Sequence, residues 1–356
     1  MNKRVLVTGA GGLIGSEACK FYLNKGYEVL GIDNNLRKYF FGEGGDTSKN
    51  IASTLKNYPS FVNYALDIRE RPAVLDFFKK NGPFDLVIHT AAQPSHDWAA
   101  KEPFTDFDVN ANGTFNMLEA FRLYSPKGVF IFTSTNKVYG DNPNKVALVE
   151  TETRYDYALD QKISGVSQNG IDEEMSLDHC KHSIFGASKV AADVMAQEYG
   201  KYFGLNVGVF RGGCLTGPQH SAVALHGFLA YIVDCAVNKT QYTIIGYKGK
   251  QVRDQIHSSD VIFAFDEFFK NPKQGEAYNL GGTKENSASI LEVIKILKEE
   301  FNLELDWNYK DQPRIGDHIC YYTDMSKFKE HYPNWKLTKN LRDIIKEIIE
   351  SKREQK

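Results

Sequence analysis

Gly9, Gly12 and Gly15 follow an apolar run, Val5-Leu6-Val7, at three-residue intervals, and an acid, Asp33, stands 18 positions past the last of them. This spacing suits a dinucleotide. Gly9 permits a tight turn, Gly12 lets backbone approach a pyrophosphate, and Gly15 lets the next helix pack on the strand. Leu13 and Ile14 lie in that turn beside the cofactor, and the N-terminus of the helix that follows would offer unpaired N–H groups to the phosphates. Asp33, with Asn34 beside it, would hold the adenosine ribose hydroxyls. Its carboxylate repels a 2′-phosphate and Asn34-Asn35 adds no cation, although Arg37 leaves NADP open; NAD is the expected cofactor.

To position these residues, the chain needs a strand, a turn, a helix and a second strand. The apolar run, the helical spacing over residues 16–24, the stop at Gly26 and a buried run at 28–33 supply them. Residues 34–60 are polar, with a glycine patch at 42–45, and read as an irregular loop near the adenosine end. A third strand at 61–68 ends with Asp67 and Ile68, which would flank the adenine. A fourth, at 84–89, ends at Thr90-Ala91-Ala92-Gln93, mostly small residues that let the cofactor pass close.

A helix over 109–124 leads to a strand at 128–135 that ends in three hydroxyls, where open α/β sheets place ligands. A helix starting near Ile184 and a strand at 206–211 complete the series. Repeated βα units predict an α/β fold with a Rossmann-type, doubly wound parallel sheet. Beyond residue 217 the pattern loosens: a helix at 225–237, a hairpin-like stretch at 242–254, a helix at 287–301 and a terminal helix at 337–351. No linker separates these pieces. The expected division is a dinucleotide-binding domain over 1–210 and a smaller C-terminal α/β lobe over 211–356 that mainly binds substrate.

Bulk composition narrows the class. With 356 residues, 42% of them hydrophobic, the chain can bury a large core. A net charge of −2 gives no long-range attraction for nucleic acid or anionic lipid. Five widely spaced cysteines without a Cys-x-x-Cys pair indicate reduced thiols rather than zinc, and no metal site is expected. The N-terminus lacks the apolar region of a signal peptide, and no run reaches the roughly 18 apolar residues of a membrane span. A cytoplasmic protein is expected.

Further motifs carry a resemblance. The glycine fingerprint, Asp33-Asn34, His89 with Ala91-Ala92, Asn110 with Gly113-Thr114, Val138-Tyr139-Gly140 and Arg253-Asp254 with His257 resemble the extended short-chain dehydrogenase/reductase family of nucleotide-sugar epimerases and dehydratases. The likeness spans about the whole chain. Within that family, the runs at 134–141, 150–155 and 249–254 most resemble the CDP-paratose (CDP-tyvelose) 2-epimerases. The resemblance implies an isomerase of nucleotide sugars, a CDP-sugar favoured, using NAD. It also implies a homodimer or homotetramer built on the helices at 112–124 and 185–202. Other activities of the family, 4-epimerisation or 4,6-dehydration, are the alternatives. A dehydratase would show an acid pair beside the catalytic hydroxyl, where this chain has Asn136-Lys137.

The family's catalytic set is a Ser or Thr after the fifth strand and Tyr-x-x-x-Lys on the next helix, with the lysine also on the cofactor. Thr135 and Lys189 match, Thr135 lying at the substrate as well, but Phe185 stands where the tyrosine should be. Residues four apart share a helix face, so both side chains of the pair could reach the nicotinamide ribose and the substrate. A phenol must drop about 3 units from its pKa of about 10 to act as a base near neutral pH, and phenylalanine has no oxygen at all. Three readings stay open: an engineered block, another base, or a protein that binds without turnover. His182, His179, Cys180, Tyr139 and Tyr155 are the replacements close in sequence. The resemblance also places Arg253 on the pyrophosphate, Arg314 with Asp317 on phosphate and nucleoside, and Gly213 and Cys214 at the sugar. An arginine fork suits phosphate oxygens in any family. A polar insertion at 156–178 reads either as a lid or as a surface loop.

Overall fold

The apolar run that opens the chain lies at the middle of a sheet. The computed structural model describes residues 3–158, 160, 162–220, 227–312 and 316–354. Its main sheet contains β1 (Arg4–Thr8), β2 (Glu28–Ile32), β3 (Val62–Tyr64), β4 (Leu86–His89), β5 (Val129–Thr135), β6 (Asn206–Gly212) and β7 (Glu276–Leu280). The order across it is β7-β6-β5-β4-β1-β2-β3. β1 runs parallel to both neighbours, with Val5 opposite Val29 on one side and Leu86 on the other. Val5, Leu6 and Val7 have no exposed surface, as parallel strands covered on both faces require. The order reverses between β1 and β4, and the crevice at such a switch is where this architecture takes its ligand.

The helices that matter for the site are α1 (Leu13–Asn24), α2 (His96–Lys101), α3 (Gly113–Tyr124) and α4 (Ser183–Lys201). The chain forms two compact units. One comprises the residues up to Val138, Ile184–Arg211 and Val261–Tyr278, and its core includes Leu6, Val87, Phe121, Phe130 and Val207.

The other comprises Tyr139–Ser183, Gly212–Asp260 and the chain from Asn279 onward. There, Val252–His257 pairs with Cys214–Thr216 and Cys320–Tyr321 in parallel and with Ser287–Ser289 antiparallel. Its core joins Ile232, Val233, Val293, Leu297, Ile344 and Ile345. The Ser289 hydroxyl accepts from Glu292 N while the Glu292 carboxylate accepts from Ser289 N, a capping box that starts the helix Ile290–Phe301.

Three local expectations are corrected. The polar stretch after Asp33 is helical over Leu36–Phe41 and Ser48–Asn57: Phe40 is buried in the core with Leu36 and Phe41 against it, and side chains fix the turns, Asn35 accepting from Thr47 N and Asp46 from Ser48 N. The third strand stops at Tyr64, so Asp67 and Ile68 lie in the turn beyond it. The stretch at 242–254 is no hairpin, because Tyr242–Ile245 pairs with Trp307–Lys310 and not with Val252–His257. The insertion carries a short hairpin pinned at Ile171, whose N–H donates to Tyr322 O and whose carbonyl accepts from Asn279 Nδ2. The helix expected from residue 225 is described over Phe228–Asn238; Leu225 lies outside the described residues.

Candidate active site

The turn between β1 and α1 is built for close approach. Gly9 has φ +68°, and a Cβ there would meet Thr90 Oγ1 at 2.8 Å. A Cβ on Gly15 would fall 2.0 Å from Gly9 O. Gly12 caps α1 without a side-chain hydrogen bond, so Leu13 and Ile14 open the helix with N–H groups that have no intrahelical acceptor. At the end of β2, Asp33 accepts from Gly11 N and from Asn35 N, both at 2.8 Å, which fixes the carboxylate beside the turn. These features fit NAD: a cradle that side chains would fill, a helix N-terminus for the diphosphate, and a fixed acid for the ribose.

A cavity of about 210 Å³ opens beside Asp33, lined also by Asn35, Thr47, Ile51 and Asn63 and by no basic side chain. The Arg37 guanidinium instead lies 4.7 Å from the centre of the Phe41 ring. Nothing in that lining compensates a 2′-phosphate. Asp33→Ala is therefore expected to weaken NAD about 10- to 100-fold, as loss of a hydrogen bond to a charged group implies, and to reduce discrimination against NADP. Titration calorimetry with both cofactors checks this. Equal binding of both by the unmodified chain would contradict it.

Asn34 is exposed and its Oδ1 accepts from Leu36 N. Asp67 is bound by Arg69 through the backbone and the guanidinium. Burial raises its pKa, but these bonds outweigh burial and leave the net shift downward. Ile68 packs beneath Gly113, where a Cβ would be 2.7 Å from it.

The loop after β4 is set by a buried imidazole. His89 Nε2 is 3.0 Å from Thr114 Oγ1, and that hydroxyl donates to Asn110 O, so Nε2 carries the proton. Nδ1 then accepts from Thr8 Oγ1 at 2.7 Å, and Thr8 Oγ1 accepts from Ala91 N. Burial, with the Lys189 charge behind it, lowers the His89 pKa to about 3. His89 is a neutral brace holding Thr90, Ala91 and Ala92 against the turn after β1, and Thr90 Oγ1 donates to Thr8 O.

Thr135 ends β5, and its hydroxyl accepts from Lys137 N. Phe185 and Lys189 occupy successive turns of α4, both buried. The Lys189 ammonium donates to Thr133 O at 2.9 Å and lies 4.3 Å from the centre of the Phe132 ring. Burial lowers its pKa to about 8, against the pull of Asp193 and Asp106. The Phe185 ring meets the imidazole of His96 edge-on, with centroids 5.0 Å apart.

Two buried networks hold this face of α4 in place. Asp193 accepts from Ser134 Oγ on β5, from Gln197 on its own helix and from Arg211 on β6, and the Asp193 and Arg211 side chains are 0% and 5% exposed. Ser188 donates to Asp106, which with Asn110 also binds Gln93 in the loop after β4.

The remaining predicted site residues lie in the second unit. Gly213 donates to Leu280 O, and Cys214 begins a strand opposite Gln255. Arg253 is half-buried and donates to Val252 O; among the described residues it has no carboxylate partner. Asp317 accepts from Asn144 through its backbone carbonyl. Arg314 lies outside the described residues. The replacements near in sequence have partners elsewhere than at Phe185: His182 Nε2 is 2.7 Å from Leu177 O and 3.4 Å from Cys180 Sγ, and the Tyr139 hydroxyl donates to Asn279. Tyr155 Oη lies 3.4 Å from Glu150 Oε2.

Sequence reasoning missed His96, Asp106 and Asp193. The available signal was Ser95, an N-cap residue whose hydroxyl accepts from Trp98 N and makes His96 the first residue of a helix next to the cofactor loop. The five cysteines are free thiols. Among the described residues, no cluster of His, Cys, Asp and Glu could hold a metal and no helix is long and apolar enough to cross a membrane.

Comparison with known proteins agrees with this geometry. The CDP-paratose 2-epimerase of Salmonella typhi is 35% identical over 332 residues, covering 91% of this chain and 92% of that protein. The Thermus thermophilus UDP-glucose 4-epimerase, solved in complex with NAD, superposes with a TM-score of 0.77 at 24% identity, over 98% of this chain and 99% of its own. The Thermotoga maritima UDP-glucose 4-epimerase, solved with UDP-glucose, gives 0.76 at 24% identity, over 99% of both chains. The model of the NAD dependent epimerase/dehydratase family matches residues 5–281. With its glycine turn, fixed acid after β2 and doubly wound sheet, this chain belongs to that NAD-dependent family of nucleotide-sugar epimerases and dehydratases.

Proposed function

We propose that the chain epimerises C2 of a CDP-hexose of the paratose/tyvelose type through a transient 2-keto sugar. The observation that carries this reading is the 35% identity to a CDP-paratose 2-epimerase across nine-tenths of both chains. When bound, NAD supplies a reversible hydride acceptor, so the net redox change is zero. The chain's own residues bind and orient. Gly9, Gly12, Leu13, Ile14 and Gly15 take the diphosphate of NAD. Asp33 and Asn34 take its adenosine ribose, with Asp67 and Ile68 flanking the adenine. Thr90, Ala91 and Ala92 line its path. Lys189 holds the nicotinamide ribose, and Thr135 takes a hydroxyl of the sugar.

In this reading residues 1–210 bind NAD and 211–356 mainly the nucleotide sugar. Gly213 and Cys214 lie at the sugar, and Arg253, Arg314 and Asp317 hold the nucleotide diphosphate. Arg253 supports this because a half-buried guanidinium without a carboxylate partner among the described residues is suited to an anionic ligand. Asn136 next to Thr135 favours epimerisation over dehydration, which calls for an acid at that place. The five free thiols fit a cytoplasmic setting.

Arg253→Ala is expected to weaken CDP-sugar binding about tenfold or more, with free sugar unaffected, because a charge-assisted contact is lost. Equal loss for sugar and nucleotide sugar would contradict that assignment. Turnover of CDP-paratose and of UDP-glucose, followed by NMR, tests the function. C2 epimer from the first and no C4 epimer from the second is expected.

Association through α3 and α4 is part of the same reading, supported by Phe115, Leu123, Val194 and Met195, which are 36–47% exposed on those helices. Light scattering should report a homodimer or homotetramer. A monomer at micromolar concentration would refute it.

Phe185 alone favours a second reading, in which the chain binds NAD and a sugar nucleotide without turnover.

A further inference from the structure

Oxidising a sugar carbinol requires a base for its hydroxyl proton, and Phe185 has no atom that can accept one. Within the unit that carries Thr135 and Lys189, the imidazole of His96 packs on that ring, with centroids 5.0 Å apart and planes at 71°. It is half-buried, and it opens α2 directly after the cofactor loop.

Its position is fixed relative to α4. Gln93, three residues before it, is bound by Asp106 and Asn110, and both of these bind Ser188, three residues beyond Phe185. One buried network thus ties the loop bearing His96 to the helix bearing Phe185 and Lys189. Titratable groups on the neighbouring elements include Asp97 and Lys101 on its own helix, Asp106 on the helix that follows, and Lys189, Asp193, Glu198, Tyr199 and Lys201 on α4.

We propose that His96 is the general base of the reaction, in place of the missing phenol. This rests on the epimerase reading. The hydroxyl proton moves to an imidazole nitrogen, the carbon's hydrogen leaves as hydride to bound NAD, and the C–O bond becomes C=O. On return, hydride comes back to the carbon from the opposite face of the sugar and the imidazolium returns the proton to oxygen, so atoms and electrons balance. An imidazole, with an ordinary pKa of about 6.5, needs none of the roughly 3-unit lowering that a phenol requires. Phe185 then serves as the apolar surface that sets the imidazole's orientation, and Lys189 keeps the ribose.

The test uses the NAD-loaded protein with CDP-paratose, and His96→Gln, Phe185→Tyr and the double variant. His96→Gln should lower turnover about 10²- to 10⁴-fold while NAD affinity, read by calorimetry, stays within about threefold. Adding Phe185→Tyr to His96→Gln should recover about tenfold or more, because Lys189 lies one turn from the new phenol. A merely structural histidine would not be rescued by that oxygen.

A second readout needs no turnover. The His96 ring resonance, assigned by its loss in His96→Gln, should shift when NAD brings the nicotinamide's positive charge beside it. Turnover of His96→Gln within about threefold of the unmodified protein would overturn the proposal, as would a His96 resonance indifferent to NAD. If the unmodified protein acts on no sugar nucleotide, the epimerase reading fails, and the NAD response of the ring still decides where His96 faces.

Discussion

Gly15→Ala is expected to raise the dissociation constant for NAD about 100-fold or more, and to cost about 1–3 kcal/mol of stability, as overpacking does. The added Cβ would fall 2.0 Å from Gly9 O, 2.7 Å from Gly9 C and 3.0 Å from Ala10 Cα, all backbone atoms. No rotamer change relieves such a contact, so α1 must move away from β1, and its N-terminal N–H groups then lose their alignment on the diphosphate. Gly26 provides the control. A Cβ there meets nothing within 4 Å, although its φ of +77° leaves some backbone strain. Gly26→Ala should therefore lower stability modestly and leave NAD affinity intact. Calorimetry and urea denaturation on both variants separate the effects, and unchanged NAD affinity in Gly15→Ala would contradict the cradle.

Asp193→Ala should cost about 3–5 kcal/mol in urea denaturation, the usual cost of removing one partner of a buried ion pair. Arg211, 5% exposed, would be left without the carboxylate that accepts its Nε and Nη2 at 3.0 and 2.9 Å. Ser134 would lose its acceptor at the same time. Because Asp193 lies one turn beyond Lys189 on α4, the loss should also loosen the lysine's position against β5. A cost below about 1 kcal/mol would mean that the pair is solvated in solution.

The first βαβ unit was readable because its strands are covered on both faces, which writes them as continuous apolar runs, and because Gly9, Gly15 and Asp33 have backbone-level roles. Residues 36–57 were not, since their helices are short and mostly polar, with a few apolar contacts such as Phe40 and with turns fixed by the side chains of Asn35 and Asp46. The strand at Tyr242–Ile245 was misjudged because its partner, Trp307–Lys310, is distant in sequence while Gly246 and Gly249 nearby look like a hairpin turn. His96 sits in a polar segment with no motif of its own. Only the fold brings it to Phe185, 89 positions later in the chain.

The most direct test of the account is the fate of the C2 hydrogen. CDP-paratose deuterated at C2 is incubated with the NAD-loaded protein in ordinary water and followed by NMR. The account predicts the C2 epimer with deuterium still at C2 and a slower rate than for the unlabelled sugar, because the hydrogen leaves and returns as hydride within one site. Deuterium lost to water, or inversion at C4 with C2 untouched, would contradict it.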